Sequence, residues 1–263
     1  MMVVVIVYPF LWMITASLRP TVRDIWSTDL VRAVIPERIS LTFYRSLLSL
    51  GAGRFFLWTK NSLIFTVGST ALNVAFCSMA GYALANRELP GRGMLLGFFL
   101  AMMVIPSALV IIPMFLVVNS LKMLNTYPGV FLPMAAEAFS VLVLYRFFSE
   151  LPDEILEAAR MDGAHEWGVL WRIALPLARP AIGAVLLRQF IVGWNAFTLP
   201  LVLGQDARLR NLQVAMTYFN NLITVDFGSI MAVGSMITLP VLIVFLFTHR
   251  TLIRGITAGA LKG

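Results

Sequence analysis

The sequence predicts an all-α polytopic membrane protein with six transmembrane helices, and three observations carry that reading. Of its 263 residues, 59% are apolar and only 13% charged, against roughly 25% charged in an ordinary soluble domain. The apolar residues arrive in blocks of about 20, the length a helix needs to cross a bilayer core. Short clusters of Pro, Gly and charge separate the blocks, such as Asn86 to Gly93, and these break helices. The mean hydropathy is +0.86, too high for so few charges to cover in a soluble globule. Only helices or closed barrels satisfy the backbone in lipid, so residues 1–263 read as a single membrane domain.

The six spans fall at about 2–18, 56–84, 93–118, 128–148, 178–203 and 227–248. The first is short. It lacks a basic leader and a small-residue cleavage site, so it reads as a span cut short at its start, not a signal peptide. The net charge of +7 is spread between apolar blocks without a contiguous basic patch. That pattern suits loops at an anionic membrane surface, not nucleic acid. Cys77 stands alone, which excludes a disulfide framework and a CxxC metal site. His165 and His249 lie far apart and form no ligand cluster. No GxxxxGK[ST] phosphate loop occurs, since Gly51-Ala52-Gly53 lacks the following lysine. No Ser/His/Asp or Cys/His set and no HExxH is present either. The expectation is a chain that is not an enzyme and holds no cofactor or metal.

The connection at 149–177 is too charged to span, yet it carries two apolar faces. Pro152 suits a first helical turn, and Asp153 and Glu154 complement a positive helix N-terminus. Ile155, Ala158 and Ala159 then share a face at i, i+3, i+4. Gly163 ends this helix. A second helix follows with Trp167, Leu170, Trp171 and Ala174 at i, i+3, i+4, i+7, and Pro176 is expected to end it. Such a pair either docks into a protein groove or lies on the membrane surface.

Glu157-Ala158-Ala159, Gly163, Ile173 and Leu175-Pro176, with three and nine residues between the first three groups, resemble the EAA loop of binding-protein-dependent ABC importer permeases. The likeness extends over most of the chain and is strongest to the carbohydrate-type permeases. Ile39-Ser40-Leu41 to Tyr44, Asn61-Ser62, Ile112-Pro113, Leu124-Asn125-Thr126-Tyr127 and Gly193-Trp194-Asn195 all fit. Ala196 and Leu199 depart from that pattern, where the family often has an acidic residue and a Trp. The resemblance implies a loop on the cytoplasmic side that seats in an ATPase subunit through Glu157, Ala158, Ala159, Gly163, Trp167, Trp171, Leu175 and Pro176. It implies a C-terminal tail, 249–263, reaching the ATPase with Thr257, Gly259, Lys262 and Gly263. The implied partners are a second, homologous permease subunit, an ATPase dimer that binds ATP and Mg, an extracytoplasmic solute-binding protein and membrane lipid. The implied setting is a bacterial or archaeal cytoplasmic membrane with both termini cytoplasmic. Lys and Arg counts alone do not fix that orientation, with ten falling on each side.

Candidate pathway residues follow from polarity inside the spans. Ser62, Thr66, Ser69, Thr70 and Asn73 form one stripe on the second span. It supplies hydroxyl-matched groups for a sugar, or interhelical glue. Pro106 and Pro113 are expected to kink the third span. Trp194, Asn195 and Thr198 offer a ring and polar groups for solute, or an interfacial anchor. Glu137 and Arg188 lie about 15 Å deep on adjacent antiparallel spans. A charge at that depth faces protein or water and commonly pairs; the alternatives are Arg188 snorkelling and Glu137 protonated or wet. A secondary transporter is the rival reading, but it should show several ion-coupling carboxylates, and only Glu137 sits mid-span.

Overall fold

The computed structural model describes residues 2–21, 35, 38–49, 54–85, 89–222 and 227–260, and among these no strand occurs. The helices are α1 (Met2–Ser17), α2 (Thr42–Ser49), α3 (Arg54–Ala85), α4 (Arg92–Val104), α5 (Ser107–Ser120), α6 (Tyr127–Phe131) and α7 (Ala138–Ser149). Then come α8 (Asp153–Met161), α9 (Glu166–Val169), α10 (Leu175–Leu177), α11 (Arg179–Trp194), α12 (Thr198–Leu203), α13 (Leu212–Leu222) and α14 (Phe227–Ala260).

The chain divides into two compact units, Met1–Ser62 with Arg210–Ile243, and Leu63–Leu209 with Val244–Gly263. In the first, polar side chains join elements far apart in sequence. Asn61 Nδ2 donates to the Arg210 carbonyl at 2.8 Å, and the Leu212 amide donates to Ser62 Oγ at 2.9 Å. Ser17 Oγ and Tyr44 Oη share a 2.8 Å bond. Gly228 admits the Phe43 ring, which would stand 2.1 Å from any Cβ there. Ser62 of the polar stripe is thus interhelical glue, the blander of its two readings.

The second unit has two apolar clusters. One gathers Cys77, Leu84, Val141, Leu144, Phe148, Leu170, Ala174, Ala178, Ala181 and Val185 around the end of α3 that meets α7. Gly81 makes this possible, because a Cβ there would lie 2.8 Å from the Tyr145 amide nitrogen. The other gathers Phe65, Val118, Val130 and Leu203.

Two helices, Arg54–Ala85 and Phe227–Phe247, are each long and apolar enough to cross a membrane unbroken. Two expected spans are bent instead, and another is interrupted. The third turns by 107° between α4 and α5. Its break falls at Pro106, which caps α5 with extended backbone, whereas Pro113 sits inside α5 without interrupting it. The fourth turns by 50° between Tyr127–Met134 and α7. The fifth does not run continuously over 178–203. Its helix α11 starts at Arg179, at 81° to the loop helix Glu166–Leu177, and stops at Trp194, and α12 restarts at Thr198. Periodicity sees a continuous apolar block in each case. At the break of the fourth span the freed carbonyls find side-chain partners elsewhere in the chain, Gln189 for Met134 and Cys77 for Glu137. Many apolar side chains of α4, α5 and α14 are exposed, among them Met94, Phe98, Leu109, Ile112 and Phe247. Surface of this kind suits lipid or another helical subunit.

Candidate functional site

The connection between α7 and α11 forms two helices around one tight turn. Asp153 and Glu154 occupy the first turn of α8, as charge complementarity requires. The helix ends in a Schellman motif. Gly163 has φ +81°, its amide donates to the Arg160 carbonyl, and the Ala164 amide donates to the Ala159 carbonyl, both at 3.0 Å. The stop expected at Gly163 is therefore where the chain reverses.

The second helix differs from expectation. It does not end at Pro176 but runs on to Leu177, and the turn Leu170–Ala174 widens to a π-helix. Proline has no amide for the carbonyl four residues back, and its ring crowds that carbonyl. Opening the preceding turn relieves the clash. The expected apolar face is also split. Leu170 and Ala174 are buried in the first cluster, while Trp167 and Trp171 are 56% and 53% exposed. On α8 the face divides too, with Ala159 buried but Ile155 and Ala158 exposed. The exposed apolar set of the two helices is Ile155, Ala158, Met161, Trp167 and Trp171. Glu157 is exposed beside it, and Leu175 and Pro176 are half-buried.

Polar side chains tie the pair together. Arg160 Nε donates to Glu166 Oε1 at 2.7 Å, and Tyr82 Oη donates to Glu166 Oε2 at 3.0 Å. The Arg160 guanidinium holds the Glu166 carboxyl below its ordinary range, assisted by the Tyr82 hydroxyl and opposed by partial burial. A cavity of roughly 700 Å³ lies alongside, lined by Met79, Tyr82, Leu156, Glu157, Arg160 and Glu166 among others. Sequence reading missed this trio. The available signal was a tyrosine at the end of an apolar span, where an amphipathic ring commonly sits.

Glu137 and Arg188 meet. The Arg188 Nη1 donates to Glu137 Oε2, and the guanidinium lies 4.4 Å over the Phe139 ring. Glu137 is not inside a helix as expected. It caps α7 with extended backbone, at the bend of the fourth span. The Gln189 amide donates to the Met134 carbonyl at 2.8 Å, so consecutive residues of α11 hold both sides of the break.

Thr66, Ser69 and Asn73 are fully buried, and Thr70 nearly so. Gly193 presses α11 onto them, since a Cβ there would stand 3.0 Å from Ser69 Oγ. Ser69 Oγ donates to the Thr66 carbonyl. Thr66 Oγ1, Thr70 Oγ1 and both amide atoms of Asn73 have no partner among the described residues. The stripe is packed against protein of this chain. Trp194 is buried with its face stacked on Phe190, centroids 6.2 Å apart. Asn195 donates to the Ile191 carbonyl from an exposed position, and Thr198 is exposed at the start of α12. These three residues stand on either side of a helix break, not on one helix. In α14 the backbone stays helical through Thr257 and Gly259 to Ala260. The side chains of that end, with all of Lys262 and Gly263, lie outside the described residues.

Apolar helices of this length, with an exposed helix pair between two of them, mark a multi-pass membrane protein. The chain belongs to the binding-protein-dependent transport system inner membrane component family, whose pattern matches residues 77–258. It is 31% identical to the arabinooligosaccharides transport system permease protein AraQ of Bacillus subtilis (strain 168), over 97% of this chain and 90% of that one. It is also 31% identical to the trehalose/maltose transport system permease protein MalG of Thermococcus litoralis, over 100% and 94%. Its fold matches a chain of a bacterial ABC transporter that imports the acidic polysaccharide alginate, with TM-score 0.83, 23% identity and coverage of 95% and 91%. The chain is a multi-pass inner-membrane permease subunit of an ABC importer, not an enzyme and not a secondary transporter.

Proposed function

We propose that this permease forms half of a pathway for a sugar or sugar-like solute, delivered by an extracytoplasmic binding protein. The observation that carries the reading is the helix pair Asp153–Leu177, with its exposed Ile155, Ala158, Met161, Trp167 and Trp171, on a chain without a phosphate-binding loop. Apolar surface of this kind on an otherwise charged loop calls for a protein partner. An ATPase subunit that binds ATP and Mg is that partner. Glu157, Ala158, Trp167 and Trp171 form the contact, and the Gly163 turn sets the angle between the two helices. The carbohydrate systems to which relatives such as AraQ and MalG belong support a carbohydrate cargo.

Six spans complete the subunit: the two unbroken helices, the two bent spans Arg92–Ser120 and Tyr127–Ser149, the helix α11 and the short apolar α1. Both termini are cytoplasmic, and a second, homologous permease covers the exposed apolar side chains that lipid does not. The tail at 249–263 adds to the ATPase contact through Thr257, Gly259, Lys262 and Gly263. Glu137 and Arg188, each about one-third exposed, are the pathway groups best placed to meet hydroxyls, with Asn195 and Thr198 beyond the end of α11. Thr66, Ser69 and Asn73 act behind them. Uptake of labelled oligosaccharides into vesicles holding the reconstituted complex tests the reading. Uptake should require internal ATP and the binding protein. Uptake driven by an ion gradient without ATP contradicts it.

A further inference from the structure

We propose that Tyr82 and Glu166 are the positioning residues through which the helix pair drives α3. This rests on the reading that the pair docks an ATPase, and it names the joint that such a dock needs. Three observations converge on it.

The first is the bond itself. Glu166 opens the second helix of the pair and accepts the Tyr82 hydroxyl at 3.0 Å. Its other oxygen accepts from Arg160, in the last turn of the first helix. One carboxylate thus ties both helices across the Gly163 turn and fastens them to a transmembrane helix. Hydrogen bonds to an ionised acceptor are about twice as strong as neutral ones.

The second is what Tyr82 stands on. α3 has no internal proline and runs unbroken from Arg54 to Ala85. The third and fourth spans bend by 107° and 50°, and the loop helix Glu166–Leu177 meets α11 at 81°. A displacement delivered to a bent span is absorbed at its break, whereas a continuous helix passes it along its length. From Tyr82 to Thr66 is about 24 Å at 1.5 Å per residue. The joint therefore reaches the buried stripe Thr66, Thr70 and Asn73, whose polar atoms have no partner among the described residues.

The third is the mounting. The Tyr82 ring meets Phe148 edge-on at 5.7 Å and 89°, which holds the hydroxyl toward the loop. The cavity of roughly 700 Å³ beside Met79, Leu156 and Arg160 leaves room for the pair to move against α3. A bonded contact beside open space has the form of a hinge, whereas full packing would resist motion.

The test uses the complete complex in lipid vesicles, with the second permease, the ATPase and the binding protein. Tyr82→Phe removes the hydroxyl and little else, and Glu166→Ala removes the carboxylate. ATPase retention, ATP hydrolysis and solute imported per ATP are measured for each and for the double variant. Both single variants should keep the ATPase and hydrolyse ATP, while solute per ATP falls about tenfold. The double variant should fall no further than Glu166→Ala. Wild-type solute per ATP in either single variant overturns the proposal. So does loss of the ATPase in Tyr82→Phe, because the bond is then a fold element. Ala158→Trp is a separate control: unchanged ATPase retention there contradicts the docking reading without touching the joint.

Discussion

Arg188 donates to Glu137 from α11 to the cap of α7, at the bend of the fourth span. Both side chains are about one-third exposed, so the pair is neither sealed in protein nor free in water. Removing one partner leaves an uncompensated charge in a membrane segment, which costs several kcal/mol. Arg188→Leu and Glu137→Leu should each lower uptake at least tenfold, and each should lower the melting temperature of the detergent-purified complex. Exchanging the charges, Glu137→Arg with Arg188→Glu, should recover part of both. A double variant equal to the sum of two damaging singles would show that the pair contributes nothing as a pair.

Gly163 is a purely backbone requirement. Its φ is +81°, and nothing lies within 4 Å of where a Cβ would stand. A non-glycine residue there costs roughly 1–2 kcal/mol, and less for asparagine. Gly163→Val should therefore loosen the loop and weaken ATPase retention more than Gly163→Asn does. Equal retention in the two variants argues that the turn does not set the docking geometry. Gly163→Trp should weaken retention about as the valine variant does, since open space around the Cβ leaves the backbone conformation as the cost.

The turn at Gly163 shows what was legible in the sequence. Glycine after a charged amphipathic run names its own conformation, and the Schellman bonds follow. The apolar blocks likewise predict membrane helices from residue chemistry alone. The breaks at 135–137 and 195–197 were not legible, because a bend leaves hydrophobic periodicity intact. What stabilises the first is a bond from Gln189 to the Met134 carbonyl, 55 residues away. Apolar spacing also does not show that the second loop helix has two faces: Leu170 and Ala174, one turn apart, turn inward, while Trp167 and Trp171, also one turn apart, turn out. Glu137 and Arg188 were found by depth, a signal that apolar surroundings make strong. Tyr82 and Glu166 were not, since their bond spans 84 residues.

Asn73 is fully buried, and neither amide atom has a partner among the described residues. An unmade bond of that kind costs about 1–3 kcal/mol, and an apolar residue of similar shape avoids it. Asn73→Leu should raise the thermal stability of the purified complex. If the stripe finds partners only when α3 moves, the same variant should slow transport. A lowered melting temperature would mean that Asn73 is satisfied in the state that dominates in solution.

The Arg160 guanidinium and the Tyr82 hydroxyl hold the Glu166 carboxyl below its ordinary range. A depressed carboxylate contributes stability that is present above its unfolded pKa and lost as pH falls through the folded one. The ordinary value for Glu is 4.5, so the loop should stay intact across neutral and mildly acidic pH and loosen only below that value. Fluorescence of Trp167, next to Glu166, should report the change, read as the difference from a Trp167→Phe chain. Glu166→Gln should remove the transition. A midpoint above the ordinary range would contradict the ion-pair assignment.

The central claim is that the helix pair Asp153–Leu177 docks an ATPase subunit, and a proximity crosslink tests it most directly. Ala158→Cys carries a short photoactivatable reagent in the assembled importer, with a cysteine on exposed α4, Met94→Cys, as the comparison. Both positions are exposed in this chain. Illumination should couple the ATPase subunit to position 158 and not to position 94. Capture of lipid or the second permease at 158, with no ATPase adduct, would contradict the account.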